Sequence, residues 1–301
     1  MRLLRWVLSV GVVLAVVFVY FATLHPHERV PDHAFFDEPG PWAIAHQGGR
    51  RLWPENTLYA FDKAATLGVD VLEMDLRITA DGEIVVIHDA TVDATTDGAG
   101  RVDEMSLAEI RKLDAGYRFD DGSETFRFRG KGLEVPTLED VLTRFSSSRL
   151  ILEMKEFTPD RAARLCDVLE AHDATQRVLV ASFGHDSMRA FRQACPTVAT
   201  SATMREALML YQLHRMHLAS FYRSPAVALQ IPETFRDRRV VDSELLKLAD
   251  DYNLKIQVWT VNDEAGMKRL VELGVQGIMT DHPDRLLRLL GRPPLSALHD
   301  D

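Results

Sequence analysis

Eight short apolar runs recur between residues 42 and 280, with helical patterns between most of them. The runs are WAIAH (42–46), VLEMDL (71–76), LILEM (150–154), VLVAS (178–182), TVATS (197–201), VALQI (227–231), IQVWT (256–260) and GIMT (277–280). Helical patterns fall at 55–67, 137–145, 159–171, 184–194, 203–217, 242–252, 263–273 and 283–290. Strands that alternate with helices point to a parallel sheet, since a parallel partner is reached only through a long crossover. Eight such units in about 260 residues predict one α/β domain of the (β/α)8 TIM-barrel type.

A ninth run, EIVVIH (83–88), follows the second strand too closely for a crossover. Asp81-Gly82 between two β runs is a hairpin signal, so 83–88 is expected to fold back antiparallel on 72–79. With a two-residue turn, Ala80 faces Glu83 and Asp75 faces His88. Opposed residues project from one face, and Glu73, two residues from Asp75, shares it. Two carboxylates and an imidazole then meet on one patch at the end of an apolar strand. An unpaired buried carboxylate is costly to desolvate. A hard divalent cation, Mg²⁺ or Ca²⁺ with Mn²⁺ also admissible, keeps both acids ionised.

Other strand ends carry chemistry as well. His46 closes the first strand, and Glu153 and Lys155, also two apart, close LILEMKE. Strand ends of a barrel converge on one rim, where catalytic groups collect. His46, Glu73, Asp75, His88, Glu153 and Lys155 are therefore expected to meet. Taken singly, a strand-end histidine or a Glu-x-Lys pair is as readily structural.

The N-terminus reads differently. Residues 6–24, WVLSVGVVLAVVFVYFATL, carry no charge. At 1.5 Å per residue they span roughly 28 Å as a helix, close to a bilayer's hydrocarbon core. Arg2 and Arg5 precede the run, which is longer than a signal peptide's apolar core. Residues 1–24 read as a cytosolic stub and single transmembrane anchor, with the remaining chain extracytoplasmic. Residues 25–40 read as a linker, 41–292 as the barrel and 293–301 as a tail. A net charge of -10 without a long basic run argues against nucleic acid as a partner. Cys166 and Cys195 lack metal-ligand spacing and read as two free thiols, or as one disulfide in an oxidising compartment. Oligomeric state is not readable.

AHQGGRRLWPENTLYAFDKAATLGVDVLEMDLRITADGEIVVIHD (45–89) resembles the signature of the glycerophosphodiester phosphodiesterase family. VPTLEDVL (135–142), LILEMK (150–155), VWTVND (258–263) and GVQGIMTDHP (274–283) extend the resemblance in the family's order. It implies a (β/α)8 barrel with an insertion, here roughly 90–136, whose Gly-rich, charged composition fits a cap over the rim. It implies that Glu73, Asp75 and Glu153 ligate the divalent cation, with Glu55 a possible support. It also implies His46 and His88 as the catalytic pair, Lys155 as a cation near the phosphate, and Trp259 as an aromatic beside the substrate or a core residue. Where the family has Arg after the first histidine, this chain has Gln47, a neutral and weaker phosphate partner. Arg50 and Arg51 are candidates to replace that charge.

The implied activity is metal-dependent hydrolysis of a glycerophosphodiester to glycerol 3-phosphate and an alcohol. One histidine acts as base and the other as acid. The nucleophile is water, or a substrate hydroxyl that would give a cyclic phosphate. ALMLYQLHRMHLASFYRSPAVALQI (207–231) is rich in Leu, Met and aromatic residues. It is either packed barrel or an apolar rim meeting membrane or an acyl chain. The second case admits lysophospholipids, hydrolysed in the manner of a lysophospholipase D. Two further readings are a non-catalytic, membrane-tethered phosphate-binding module and a related barrel phosphodiesterase that cleaves lipid head groups like a phospholipase C or sphingomyelinase.

Overall fold

The computed structural model describes residues 28–122, 125–216 and 218–292. The proposed anchor at 6–24, the stub before it and the tail at 293–301 lie outside the described residues. Among the described residues, no helix is long and apolar enough to cross a membrane.

All eight apolar runs form strands: β1 (Trp42–Ala45), β2 (Val71–Ile78), β4 (Arg149–Met154), β5 (Val178–Ala181), β6 (Ala199–Thr200), β7 (Ala228–Pro232), β10 (Lys255–Trp259) and β11 (Gly277–Thr280). They pair in parallel in the order β6-β5-β4-β2-β1-β11-β10-β7. A parallel bridge from Ser201 to Ala228 brings the two ends together, giving a nearly closed barrel. β3 (Ile84–Val86) pairs antiparallel with β2, and the short strands β8 (Thr234–Phe235) and β9 (Arg238–Arg239) form a separate hairpin after β7.

The helices are α1 (Leu58–Leu67), α2 (Leu107–Ile110), α3 (Leu138–Arg144), α4 (Pro159–Ala171), α5 (His185–Ala194), α6 (Met204–Arg215), α7 (Ser243–Tyr252), α8 (Glu264–Leu273) and α9 (Pro283–Leu289). Local sequence sets many of their starts. Thr57, Thr158, Asp242 and Asp263 each accept a bond from an N–H of the first turn. Thr137 with Asp140, and Thr203 with Glu206, form reciprocal capping boxes.

The main core lies between strands and helices; a second, inside the barrel, includes Trp42, Ile44, Val71, Ile151 and Leu179. Phe35, fully buried in a single turn at Ala34–Phe36, packs into that inner cluster. The expected linker at 25–40 is thus, from residue 28 onward, partly a plug. Arg29 also donates to the Asp250 and Asp251 carbonyls.

Three expectations change. The β2–β3 register pairs Leu76 with Val86 and Ile78 with Ile84, one residue away from the expected alignment. Thr79 N–H donates to the Glu83 carbonyl and the Thr79 hydroxyl accepts from Glu83 N–H, so the loop holds three residues, 80–82. Gly82 supplies its left-handed position at φ 90°. Asp75 therefore meets Ile87, whose N–H donates to its carbonyl, rather than His88.

The insertion carries its own apolar cluster, with Val92, Val102, Ile110, Ala115 and Val135 packed on Val85 and Ile87 of the hairpin. It packs against the hairpin through this cluster. Finally, Cys166 and Cys195 are not free thiols: they form a disulfide joining α4 to the end of α5.

Candidate active site

Parallel register places the acids. Asp75 on β2 stands beside Glu153 on β4, and Glu73 lies two residues back on the same face. One oxygen from each of the three carboxylates lies within 4.8 Å of the others. Glu73 and Asp75 are buried and Glu153 is 17% exposed at its side chain.

β1 delivers His46 to the same rim and then turns sharply. Gln47, Gly48 and Gly49 all have positive φ. A Cβ at position 48 would sit 2.8 Å from the Ala60 Cβ, so glycine lets the turn press against α1. This turn aims backbone and side chain of Gln47 at the acids. Its N–H donates to Glu73 Oε2 at 2.9 Å and its Nε2 to Asp75 Oδ2 at 2.6 Å. Gln47 is fully buried. The expectation that it contacts phosphate is therefore not met; it braces the carboxylates from behind.

The Glu-Asn-Thr segment divides its labour. Thr57 caps α1. Asn56, at φ 57°, donates to Asp75 Oδ2 at 3.0 Å and accepts from Asp75 N–H at 3.3 Å. Glu55 lies outside the group of three carboxylates and pairs with Arg50 at 3.3 Å. Arg50 is thereby committed. The exposed Arg51 is, like Arg50, absent from the lining of the site cavity.

Both histidines rest on carboxylates. His46 Nδ1–H donates to Asp281 at 2.6 Å and His88 Nδ1–H to Asp89 at 2.8 Å. That arrangement presents each Nε2 as the working atom. His46 Nε2 is 4.0 Å from Glu73 Oε2. Asn262 holds Asp281 in turn, donating to Oδ2 at 2.8 Å and accepting from its N–H at 2.9 Å. Asp281 and Asn262 belong to VWTVND and TDHP, yet no role had been attached to them. Their signal was position: each follows the end of a barrel strand.

Lys155 Nζ donates to Glu153 at 2.7 Å and lies 3.1 Å from Asp75 Oδ1. That second contact is an ion pair without hydrogen-bond alignment, so the buried Asp75 Oδ1 has no hydrogen-bond donor. Burial works against the lysine's charge, but Asp75 and Glu153 hold its pKa above the ordinary value.

The electrostatics expose a surplus of negative charge. Burial, reinforced by Asp75, pushes the Glu73 carboxyl up to about 8. Burial also raises Glu153 and Glu55. Burial opposes a charged His46, but Glu73 and the hydrogen-bonded Asp281 more than offset it and hold the imidazole up at about 9. Asp75 stays below its ordinary value despite burial, because Lys155, His88 and Asn56 favour its charge. Three crowded oxygen ligands and an acceptor without a donor fit a hard divalent cation. Glu73, Asp75 and Glu153 are the residues that would hold it.

His46, Glu73, His88, Glu153, Lys155 and Trp259 open onto one cavity of about 890 Å³. Trp259 is half-buried, meets Phe183 edge to face at 6.0 Å, and also packs on the inner core. Away from the acids the wall turns apolar, with Phe183, Leu208, Leu210, Leu229, Ile231 and Phe235. Among the described residues, none of the 90–136 insertion lines it. Of the two readings of 207–231, the apolar rim holds for Leu208, Leu210, Leu229 and Ile231, which line the cavity.

Comparison with known proteins places this site in context. Residues 46–285 match the glycerophosphoryl diester phosphodiesterase family. The chain is similar to a glycerophosphodiester phosphodiesterase of Caldanaerobacter subterraneus, 34% identical over 255 residues that cover 82% of this chain and 96% of that one. The crystal structure of a glycerophosphodiester phosphodiesterase from Agrobacterium tumefaciens superposes with a TM-score of 0.67 at 28% identity, covering 81% of this chain and 98% of the other. A phosphodiesterase of Oleispira antarctica, solved in complex with the product sn-glycerol 3-phosphate, shares the fold at a TM-score of 0.70 and 23% identity, covering 86% of this chain and all of that one.

Proposed function

Because this chain belongs to the glycerophosphoryl diester phosphodiesterase family, we propose that its rim site hydrolyses glycerophosphodiesters to glycerol 3-phosphate and an alcohol. One observation carries the reading: the Glu73, Asp75 and Glu153 carboxylates bring one oxygen each within 4.8 Å of one another, and Glu73 and Glu153 open onto the same cavity as two imidazoles. When bound by Glu73, Asp75 and Glu153, a divalent cation supplies Lewis-acid stabilisation of the anionic phosphoryl group. Lys155 adds a fixed positive charge at the same spot. One histidine takes the proton of the attacking hydroxyl at Nε2 as the new P–O bond forms. The other gives a proton to the departing alkoxide as the old P–O bond breaks. Asp281 and Asp89 fix the two rings. The attacking hydroxyl is water, or the glycerol hydroxyl next to the phosphate, in which case water opens a cyclic phosphate in a second step.

The cavity favours a second substrate class. Its apolar wall is far larger than a glycerol or choline group requires, and matches an acyl chain. Lysophospholipids, cleaved to lysophosphatidic acid and the head-group alcohol, fit that wall. A membrane-anchored, extracytoplasmic setting agrees with both substrates. The uncharged run at 6–24 and the Cys166–Cys195 disulfide, a bond of oxidising compartments, support it.

The test is a product assay with Mg²⁺, Ca²⁺ or Mn²⁺ on glycerophosphocholine and lysophosphatidylcholine. Glycerol 3-phosphate from the first supports the main reading, and lysophosphatidic acid from the second supports the acyl reading. Binding of either without product, under every metal, would reject hydrolysis in favour of a phosphate-binding module. Wild-type-like turnover by His46→Ala or His88→Ala would overturn the proton-transfer roles.

A further inference from the structure

The chemistry at the barrel mouth leaves the outer face of α6 unexplained. Met204, Leu208 and Met209 are 37%, 41% and 49% exposed, and beyond the helix Met216 and Phe221 are 54% and 48% exposed. Residues four apart share a helix face, so Met204, Leu208, Gln212 and Met216 form one row, apolar except for Gln212, with Met209 beside it. Twelve helical residues cover about 18 Å, comparable to the height of the barrel wall.

The two ends of that stripe are informative. At the upper end, Met204 and Leu208 also line the cavity, next to exposed Phe183 and Phe235. At the lower end the Tyr252 hydroxyl donates to the Ala219 carbonyl, and Glu28 pairs with Arg223 at 3.3 Å. The stripe therefore runs from the cavity mouth to the place where the described chain begins. Four residues upstream of Glu28, the uncharged run 6–24 ends.

Charge points the same way. Between Met204 and Arg223 the only carboxylate is Glu206, which is buried and clamped by Arg192 at 2.7 Å. Arg205 and Arg215 are exposed on the helix, and the β8–β9 hairpin adds exposed Arg236, Arg238 and Arg239 against one exposed acid, Asp237, beside Phe235. An apolar stripe flanked by cations, in a chain whose net charge is -10, is complementary to an anionic lipid surface.

We propose that this face, from Phe235 through Leu208 and Met209 to Met216 and Phe221, lies against an anionic bilayer, so that the cavity opens beside the lipid. The inference does not depend on which substrate the site cleaves. It commits the barrel wall itself to the membrane, independently of the upstream run.

The test uses the full chain, native disulfide intact, in vesicles of phosphatidylcholine and phosphatidylglycerol. An environment-sensitive fluorophore is placed at Met209→Cys. A control label sits at Ala65→Cys, exposed on α1. α1 and α6 follow strands four places apart in the eight-strand ring and so lie on opposite sides. Brominated acyl chains should quench the label at position 209 by about twofold or more and shield it from iodide, while the control behaves in the opposite way. Arg205→Glu with Arg215→Glu should weaken the lipid quenching. A label at position 209 open to iodide overturns the proposal. So does one shielded from iodide yet unquenched by lipid, because a second copy or residues 6–24 would then cover the face. Equal quenching in vesicles of phosphatidylcholine alone would remove the anionic requirement and refute the charge argument.

Discussion

His46 Nδ1 lies 2.6 Å from Asp281 Oδ1, although 235 residues separate them. The barrel makes the contact. β1 and β11 are neighbours with Ala45 beside Thr280, so the next residue of each strand emerges at the same point of the rim. Asn262 then fixes the carboxylate from the end of a third strand's loop. Asp281 holds one tautomer of His46 and supports its positive form, as in a triad whose third member orients a histidine.

Asp281→Asn should therefore lower kcat by about 10²–10⁴-fold with a much smaller change in KM. It should also bring the His46 pKa down in the metal-free protein, read by NMR titration of the ring. Adding His46→Ala to it should cost little more, since the two act as one unit. A kcat near wild type would show that the contact merely decorates the fold.

Proton linkage at the acids makes stability depend on pH in a definite direction. Glu73 sits at about 8 in the fold against an ordinary 4.5, so as pH rises past the lower value the unfolded chain ionises first and gains. His46, at about 9 against 6.5, contributes stability below the lower value and loses it as pH climbs to the upper one. Both effects share a sign. The metal-free protein should lose thermal stability steadily between roughly pH 5 and 9. Added Mg²⁺ or Ca²⁺ needs Glu73 ionised, so its stabilisation should grow over the same window. Melting curves in chelator and in metal check this; a gain in Tm that ignores pH would contradict the ligand assignment.

Much of this architecture was readable because it rests on local pattern. All eight barrel strands follow from apolar runs, and α4 matches its predicted 159–171 span to the residue. The three carboxylates, both histidines and Lys155 were findable because strand ends of a barrel converge. What escaped depended on distance or on subtle turn geometry. One extra loop residue at 80–82 shifted the hairpin register, which no periodicity reveals. Gln47 looked like a phosphate contact until its left-handed turn directed it under Asp75. Leu208 and Ile231 stayed open between core and rim, since an apolar residue facing a cavity has the same sequence pattern as one facing a neighbour. The pairing of Cys166 with Cys195 needed the side-by-side packing of α4 and α5, not spacing alone.

Asn56 offers a sharper probe of the acid cluster than the ligands themselves. It bonds both the side chain and the backbone of Asp75 while occupying a left-handed backbone position that Asn tolerates well. Asn56→Ala removes both bonds and leaves strain, so it should destabilise the fold by about 1–3 kcal/mol. It should also weaken divalent-cation affinity by about 10-fold, as loss of a ligand's orienting partner does. Calorimetric titration with metal, alongside denaturant melts, separates the two effects. Unchanged metal affinity would mean that Asp75 needs no such support.

The disulfide makes the last prediction, because it staples the outside of the barrel far from the acids. Cys166 lies in α4 and Cys195 follows α5, 29 positions further along the sequence. A closed loop of that length restricts the unfolded chain by about 3–4 kcal/mol in the chain-entropy account. Neither cysteine lines the cavity, and the helices they join face away from the rim acids. Cys166→Ser with Cys195→Ser should therefore lower the unfolding free energy by about that amount while leaving kcat at 25 °C within about twofold of wild type. Reductant should shift the wild-type denaturation midpoint and leave the double variant's unchanged. If reductant moves both midpoints equally, or neither, the bond contributes nothing to stability and the helices hold together by packing alone.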